Sequence, residues 1–177
     1  MSDGDEAENR LESHLARASD CTNLSIELEQ KITDWVSEYH FSPTRGNLLR
    51  YLNLENKSSI LELGCGCGAL TRYLGDLGLD IDAVEGSRKR AHLARLRCQD
   101  LNNVDVVSSN FYDLRLPDTQ YDVIFFVGVL EYAGRFAPDG RSAEESVRHL
   151  LKKAIPSLTS EGVIIIAIEN RLGRKYL

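Results

Sequence analysis

The run Ser58-Ser59-Ile60-Leu61-Glu62-Leu63-Gly64-Cys65-Gly66-Cys67-Gly68-Ala69 decides how this chain is read. Its first half is apolar and short, as a buried strand is. Three glycines at alternate positions follow, and residues 69–77 then carry a helical pattern. A strand that runs through such a bend into a helix makes a tight turn whose bare backbone a ligand can approach closely. Glu62, two positions before the first glycine, suits a ligand with a cationic amine. The pairing points to a nucleoside cofactor that also carries an amino acid.

Downstream of the turn, strand and helix patterns alternate. Residues 80–85 read as a second strand, and Ser87 as the cap of a helix running to about residue 101. Residues 104–107 and 121–127 read as the third and fourth strands. The fourth is apolar nearly throughout, as expected for a strand covered on both faces. Ser142-Ala143-Glu144-Glu145 is a capping box that opens a helix to about residue 155. Residues 162–168 read as a fifth apolar strand. The pattern predicts an α/β fold: a Rossmann-like, doubly wound, mostly parallel sheet in the order 3-2-1-4-5, with helices on both faces.

Upstream, residues 1–22 are acidic and polar and are expected to be flexible, or only locally helical. Residues 23–57 are expected to form a helical lid or cap. Leu24, Leu28, Ile32, Trp35 and Val36 recur at helical spacing over residues 23–39. Ser42-Pro43 then reads as a cap followed by proline at a first helical position, with Leu48, Leu49 and Leu52 facing inward. Residues 58–177 form the core.

Composition bounds the function. The chain has 177 residues, 42% of them hydrophobic, and a net charge of −6. That size fits one domain with a real core. The acidic balance argues against a protein that binds nucleic-acid backbones. The basic run Arg88-Lys89-Arg90, with Arg95 and Arg97, reads as a solvated helix face. No apolar stretch approaches the ~18 residues of a membrane span. The acidic start is unlike a signal peptide, so the expected compartment is the cytoplasm. Cys21, Cys65, Cys67 and Cys98 have neither the paired spacing of a zinc site nor that of a disulfide framework, so free thiols and no metal are expected.

The strand ends carry the candidate chemistry. Glu85, with Gly86 beside it, ends the second strand about 20 residues beyond the turn, where a carboxylate accepts from ribose hydroxyls. After the third strand, Asn110 is placed to pair with an adenine edge and Phe111 to lie against the ring. The fourth strand ends in Val127-Gly128, close to Glu131.

ILELGCGCG (60–68), DAVEGS (82–87), SSNFYDL (108–114) and YDVIFFVGVLEY (121–132) resemble the successive motifs of class I S-adenosylmethionine-dependent methyltransferases. The resemblance covers about residues 58–168. It implies that Gly64, Cys65, Gly66 and Gly68 pass under the methionine and ribose of S-adenosylmethionine. It puts Glu62 near the amino group, Glu85 and Gly86 at the ribose, Asn110 and Phe111 at adenine, and Val127 and Gly128 on the sulfonium side. The family more often has Asp where Asn110 stands, and an amide oxygen can also accept from the adenine amino group.

Residues 37–52, 128–134 and 166–177 are similar to bacterial methyltransferase domains that accompany surface-polysaccharide glycosyltransferases. That similarity implies O-methylation of a sugar or glycan, and a parent enzyme fused to a glycosyltransferase region. Candidate bases for a hydroxyl acceptor are Glu131 and His40, with Tyr132 behind them. Arg45 could reach the methionine carboxylate, and Asn170 and Arg171 could touch the acceptor. Family members continue past the fifth strand with a further strand pair, which this sequence lacks. The expectation is a fragment of a longer enzyme, or a homodimer that covers the apolar edge.

Two alternatives stand beside this reading. Gly64 to Ala69 also satisfies G-x-G-x-x-A, so a nicotinamide-dependent oxidoreductase is one. A non-catalytic cofactor-binding module is the other.

Overall fold

The computed structural model describes residues 3–54, 57–135, 137 and 140–168. Its centre is a sheet of five parallel strands in the order β3-β2-β1-β4-β5. The strands are β1 (Ser59–Leu63), β2 (Asp80–Glu85), β3 (Val104–Ser108), β4 (Tyr121–Val127) and β5 (Leu158–Ala167). The register aligns Ile60 with Ile81 on one side and Val123 on the other, and Leu63 with Val84 and Phe126. All five strands therefore deliver their carboxyl ends to one edge, where open parallel sheets bind ligands.

Alternation along β1 and β4 splits the core in two. Ile60, Val123 and Phe125 face one side with Leu70 and Leu74 of helix α4 (Ala69–Asp76). Leu61, Leu63, Ile124 and Phe126 face the other, with Leu150 and Ala154 of helix α6 (Ala143–Ala154). Ile60, Val123, Ile124 and Phe126 are fully buried, each stabilising the fold by about 1.5–3 kcal/mol relative to exposure. α6 opens on the expected capping box, Ser142 with Glu145.

The N-terminal region departs from the sequence reading. Residues 1–22 were expected to be flexible or only locally helical. Asp5–Leu15 do form a helix, α1, and it is packed: Leu11 and Leu15 bury their side chains with Leu93 of helix α5 (Arg88–Arg97). The basic run on α5 supplies the reason. Arg90 donates to Asp3 (Nη2 to Oδ2, 2.6 Å) and to Glu8 (Nε to Oε1, 3.1 Å), and Lys89 reaches Asn9 at 2.6 Å. Lys89 and Arg90 thus seat the acidic helix on α5, while Arg88 and Arg95 stay exposed as the solvated-face reading expects.

The single helix expected over residues 23–39 is two: α2 (Ile26–Glu29), capped by Ser25, and α3 (Trp35–Phe41), opened by an Asp34–Ser37 capping box. Two strong caps within ten residues end and restart the helix, and the apolar spacing does not override them. Residues Pro43–Leu48 form a 3-10 helix. It turns Leu49 inward and leaves Leu48 half-exposed, contrary to the inward role read for Leu48.

Arg97, read as solvated, is buried. Its Nη1 donates to the His40 carbonyl at 2.5 Å and its Nη2 to Asn23 Oδ1 at 3.2 Å, tying α5 to the cap. Burial pulls its pKa down to about 10. All four cysteines are free and buried. No helix among the described residues is long and apolar enough to cross a membrane. Asn170 and Arg171 lie outside the described residues, as do Phe136, Pro138 and Asp139.

Candidate active site

The turn after β1 is held by three backbone hydrogen bonds. Gly64 N and Cys65 N both donate to the Val84 carbonyl on β2, at 2.7 and 3.1 Å, and Gly68 N donates to Cys65 O at 2.9 Å. Gly64 has φ +91°, and a Cβ there would lie 2.2 Å from Val129 Cγ2. Gly68 has φ +79°, and a Cβ would lie 2.9 Å from the Ala94 Cα on α5. Side chains are excluded at both positions by backbone angle and by space. A Cβ on Gly66, by contrast, would meet nothing within 4 Å. The bend is therefore packed behind and open in front.

Two carboxylates flank it. Glu62 is 3% exposed, and its Oε2 accepts the Thr71 hydroxyl of α4 at 2.6 Å. Burial pushes its pKa up to about 7; the Glu85 charge adds to the rise, while Thr71 and Arg45 oppose it. Glu85 accepts from Gly66 N at 2.9 Å and from Ser87 N at 2.8 Å. It thereby ties the open part of the turn to the start of α5, with Gly86 exposed between.

The other strand ends complete the edge. Gly128 N donates to the Ala167 carbonyl at 2.8 Å, just past Val127. A methyl group placed on Gly128 would lie 3.9 Å from both Glu131 Oε1 and the Tyr39 hydroxyl. Glu131 is exposed, on a 3-10 helix spanning Leu130–Arg135. Asn110 is exposed, and its Oδ1 accepts from Tyr112 N at 3.1 Å. Phe111 packs partly on the core beside α6, and Lys153 Nζ pins the Phe111 and Tyr112 carbonyls at 2.9 and 2.6 Å.

His40, read from sequence as a candidate base, is buried. It is 3% exposed, with Nε2 3.0 Å from Asp3 Oδ2 and 3.8 Å from Cys67 Sγ. Burial holds its pKa below the ordinary value, with the Asp3 contact opposing. α3 turns His40 and Phe41 inward and Trp35 and Tyr39 outward, so the imidazole braces the back of the turn.

Thr71, Ser87, Val129, Tyr39 and Lys153 touch or brace the candidate residues, and the sequence reading did not assign them to the site. Lys153 reaches elements far away in sequence, and Thr71 meets Glu62 only once α4 folds back on β1; no local pattern announces either contact. The direction of Tyr39 depends on the break before α3. Among the described residues, no group of three or more His, Cys, Asp or Glu could hold a metal ion.

An open parallel sheet in this order, with a glycine turn after β1 and an acid ending β2, is the arrangement of class I S-adenosylmethionine-dependent methyltransferases, which dinucleotide-binding folds share. Residues 61–162 match the family model described as a methyltransferase domain, and the chain belongs to that family. It is 26% identical over 118 residues to the demethylmenaquinone methyltransferase of Tropheryma whipplei (strain Twist), covering 67% of this chain and 45% of that protein. It is 24% identical over 140 residues to the ubiquinone biosynthesis O-methyltransferase of Rickettsia akari, covering 78% and 50%. The chain spans about half the length of these curated relatives. Among solved structures, the DhpI complex with S-adenosylhomocysteine aligns with a TM-score of 0.57 and 25% identity over 93% of this chain and 70% of that one. The CcbJ methyltransferase of Streptomyces caelestis aligns at 0.52 and 26% over 61% and 41%.

Proposed function

We propose that this chain binds S-adenosylmethionine across the glycine turn and transfers its methyl group to a hydroxyl of a small acceptor, a sugar or glycan. The observation that carries the reading is the open face of Gly66 between the two carboxylates, Glu62 and Glu85. Bound there, the cofactor supplies a methyl group already activated on a sulfonium.

The chain's residues then have separable tasks. The backbone from Gly64 to Gly68, with Cys65 contributing main chain, lies under the methionine and ribose. Glu62 provides a buried negative charge for the ammonium, and an ammonium in turn favours its ionised form. Arg45, whose buried Nε has no hydrogen-bond partner among the described residues, is available to the methionine carboxylate. Glu85 exchanges its backbone amides for ribose hydroxyls, beside Gly86. Asn110 Oδ1 keeps a second lone pair for the adenine amino group, and Phe111 borders the ring. Val127 and Gly128 line the methyl side.

Glu131 is the candidate base: it is exposed, faces Gly128 and can take the acceptor proton. His40, with Nε2 engaged by Asp3, serves as a support of the turn. The remaining work is alignment of acceptor and methyl, which can account for a large share of such a rate. The family assignment sets the nicotinamide-dependent alternative aside. The two curated relatives are, by their names, a demethylmenaquinone methyltransferase and a ubiquinone biosynthesis O-methyltransferase; the sugar acceptor proposed for this chain comes from its narrower sequence similarity.

Transfer of labelled methyl from S-adenosylmethionine to a panel of glycosides and sugar nucleotides tests the reading. Incorporation at oxygen is expected. Incorporation only into amine or carbon acceptors would overturn it.

A further inference from the structure

Glu62 is buried where its proposed task requires a charge, and one hydroxyl answers that demand. Thr71 is fully buried on α4, and its hydroxyl donates to Glu62 Oε2 at 2.6 Å. A threonine inside a helix commonly turns its hydroxyl back to a carbonyl one turn earlier. Here the hydroxyl leaves its own helix and reaches β1 instead. That bond takes one carboxylate oxygen and leaves Oε1 for a ligand. It also favours the ionised carboxylate, against the burial that disfavours it. The other charges facing Glu62 are Arg45 on the 3-10 helix, which supports ionisation, and Glu85 on β2, which opposes it. The thiols of Cys65 in the turn and Cys98 at the end of α5 face it too. Burial pushes the Cys65 thiol well above its ordinary range and Cys98 up to about 12, so both keep their protons where Glu62 titrates.

We infer that Thr71 is a positioning residue for cofactor capture: its hydroxyl fixes Glu62 with Oε1 toward the ammonium, and the cofactor enters as a proton leaves Glu62 for solvent. The inference rests on the cofactor placement proposed above and adds to it a pH dependence set by one hydroxyl. Below the folded value of about 7 for Glu62, the carboxyl is mostly protonated and the ammonium has no charge partner. Binding must then expel the proton. Above that value the carboxylate is ready. Apparent affinity therefore rises with pH through the window and levels off beyond it.

Calorimetric titration of S-adenosylhomocysteine into the full chain, from about pH 5.5 to about pH 8 and in two buffers of different ionisation enthalpy, reads affinity and proton release together. Wild type is expected to gain about ten-fold or more in affinity over that range, and to release about half a proton per cofactor at pH 7. Thr71→Val keeps the branched shape and removes the donor. It is expected to move the midpoint of the affinity profile up by about one pH unit, to weaken binding about five-fold at pH 7 and to raise the proton release there. Thr71→Ala is expected to do the same, and Thr71→Ser to restore the wild-type midpoint. Glu62→Gln is expected to flatten the profile and abolish the release. A hydroxyl with a merely structural role would lower the melting temperature on removal and leave the midpoint in place. No binding to wild type at any pH would reject the cofactor placement itself. A flat wild-type profile, proton release that persists in Glu62→Gln, or an unchanged midpoint in whichever of the Val and Ala variants folds would overturn the inference.

Discussion

Glu62 carries an energetic conflict that its neighbours only partly relieve. Its folded pKa of about 7 stands above the ordinary 4.5, because burial disfavours the charge. The folded state therefore holds a proton that the unfolded chain has released between those values, and stability falls as pH rises through that window. At pH 8 the penalty is about 3 kcal/mol. Glu62→Gln removes it, so the ligand-free variant is expected to melt above wild type at pH 8 and close to it at pH 5. The same change is expected to weaken S-adenosylhomocysteine binding about ten-fold at pH 8, because the ammonium loses its charge partner. Thermal unfolding across pH and calorimetry check the two halves independently. Glu131 sits at the opposite pole, exposed and outside the packed turn. Glu131→Gln is expected to lower kcat about a hundred-fold with S-adenosylhomocysteine affinity held, read by methyl transfer and calorimetry together. Both carboxylates beside the turn were legible from sequence, because the motif fixes their offset from the glycines. Thr71 under Glu62 was not, because that contact arises only when α4 packs back on β1.

At the level of elements, the glycine turn is the part most closely specified. Gly68 combines φ +79° with the Ala94 backbone 2.9 Å from where a Cβ would sit. Backbone, unlike a side chain, cannot swing away. Gly68→Ala is expected to cost about 2–3 kcal/mol, measured as a lower urea midpoint with unchanged slope. Strand and helix limits in the core follow the sequence patterns within a residue or two, except that β5 begins at Leu158 and α5 ends at Arg97. The cap followed its pattern less well. Apolar spacing from Leu24 to Val36 reads as one helix, yet Ser25 and the Asp34–Ser37 box divide it and leave Leu24, Ile26 and Trp35 exposed. Periodicity reports which residues could share a face; capping chemistry decides whether the helix continues between them.

The whole molecule is a parallel sheet whose ligand edge is braced from outside by an N-terminal cap. α1 lies on α5, α3 brings His40 against Cys67 of the turn, and Arg97 bonds the cap to α5. The cap is thus part of the scaffold that shapes the turn. Leu11→Ala, at a side chain 2% exposed, is expected to cost about 3 kcal/mol in urea unfolding, far more than a surface terminal helix would. Sequence concealed this because α1 is acidic overall; its few apolar residues become core only against the cationic face of α5. The central claim remains that the carboxyl edge of β1 and β2 holds one adenosyl sulfonium. Calorimetric titration of S-adenosylhomocysteine into wild type and Glu85→Ala tests it most directly. The account predicts one site per chain in wild type and an affinity loss of about ten-fold or more in the folded variant. Absence of binding to wild type, or equal affinity in both proteins, would contradict it.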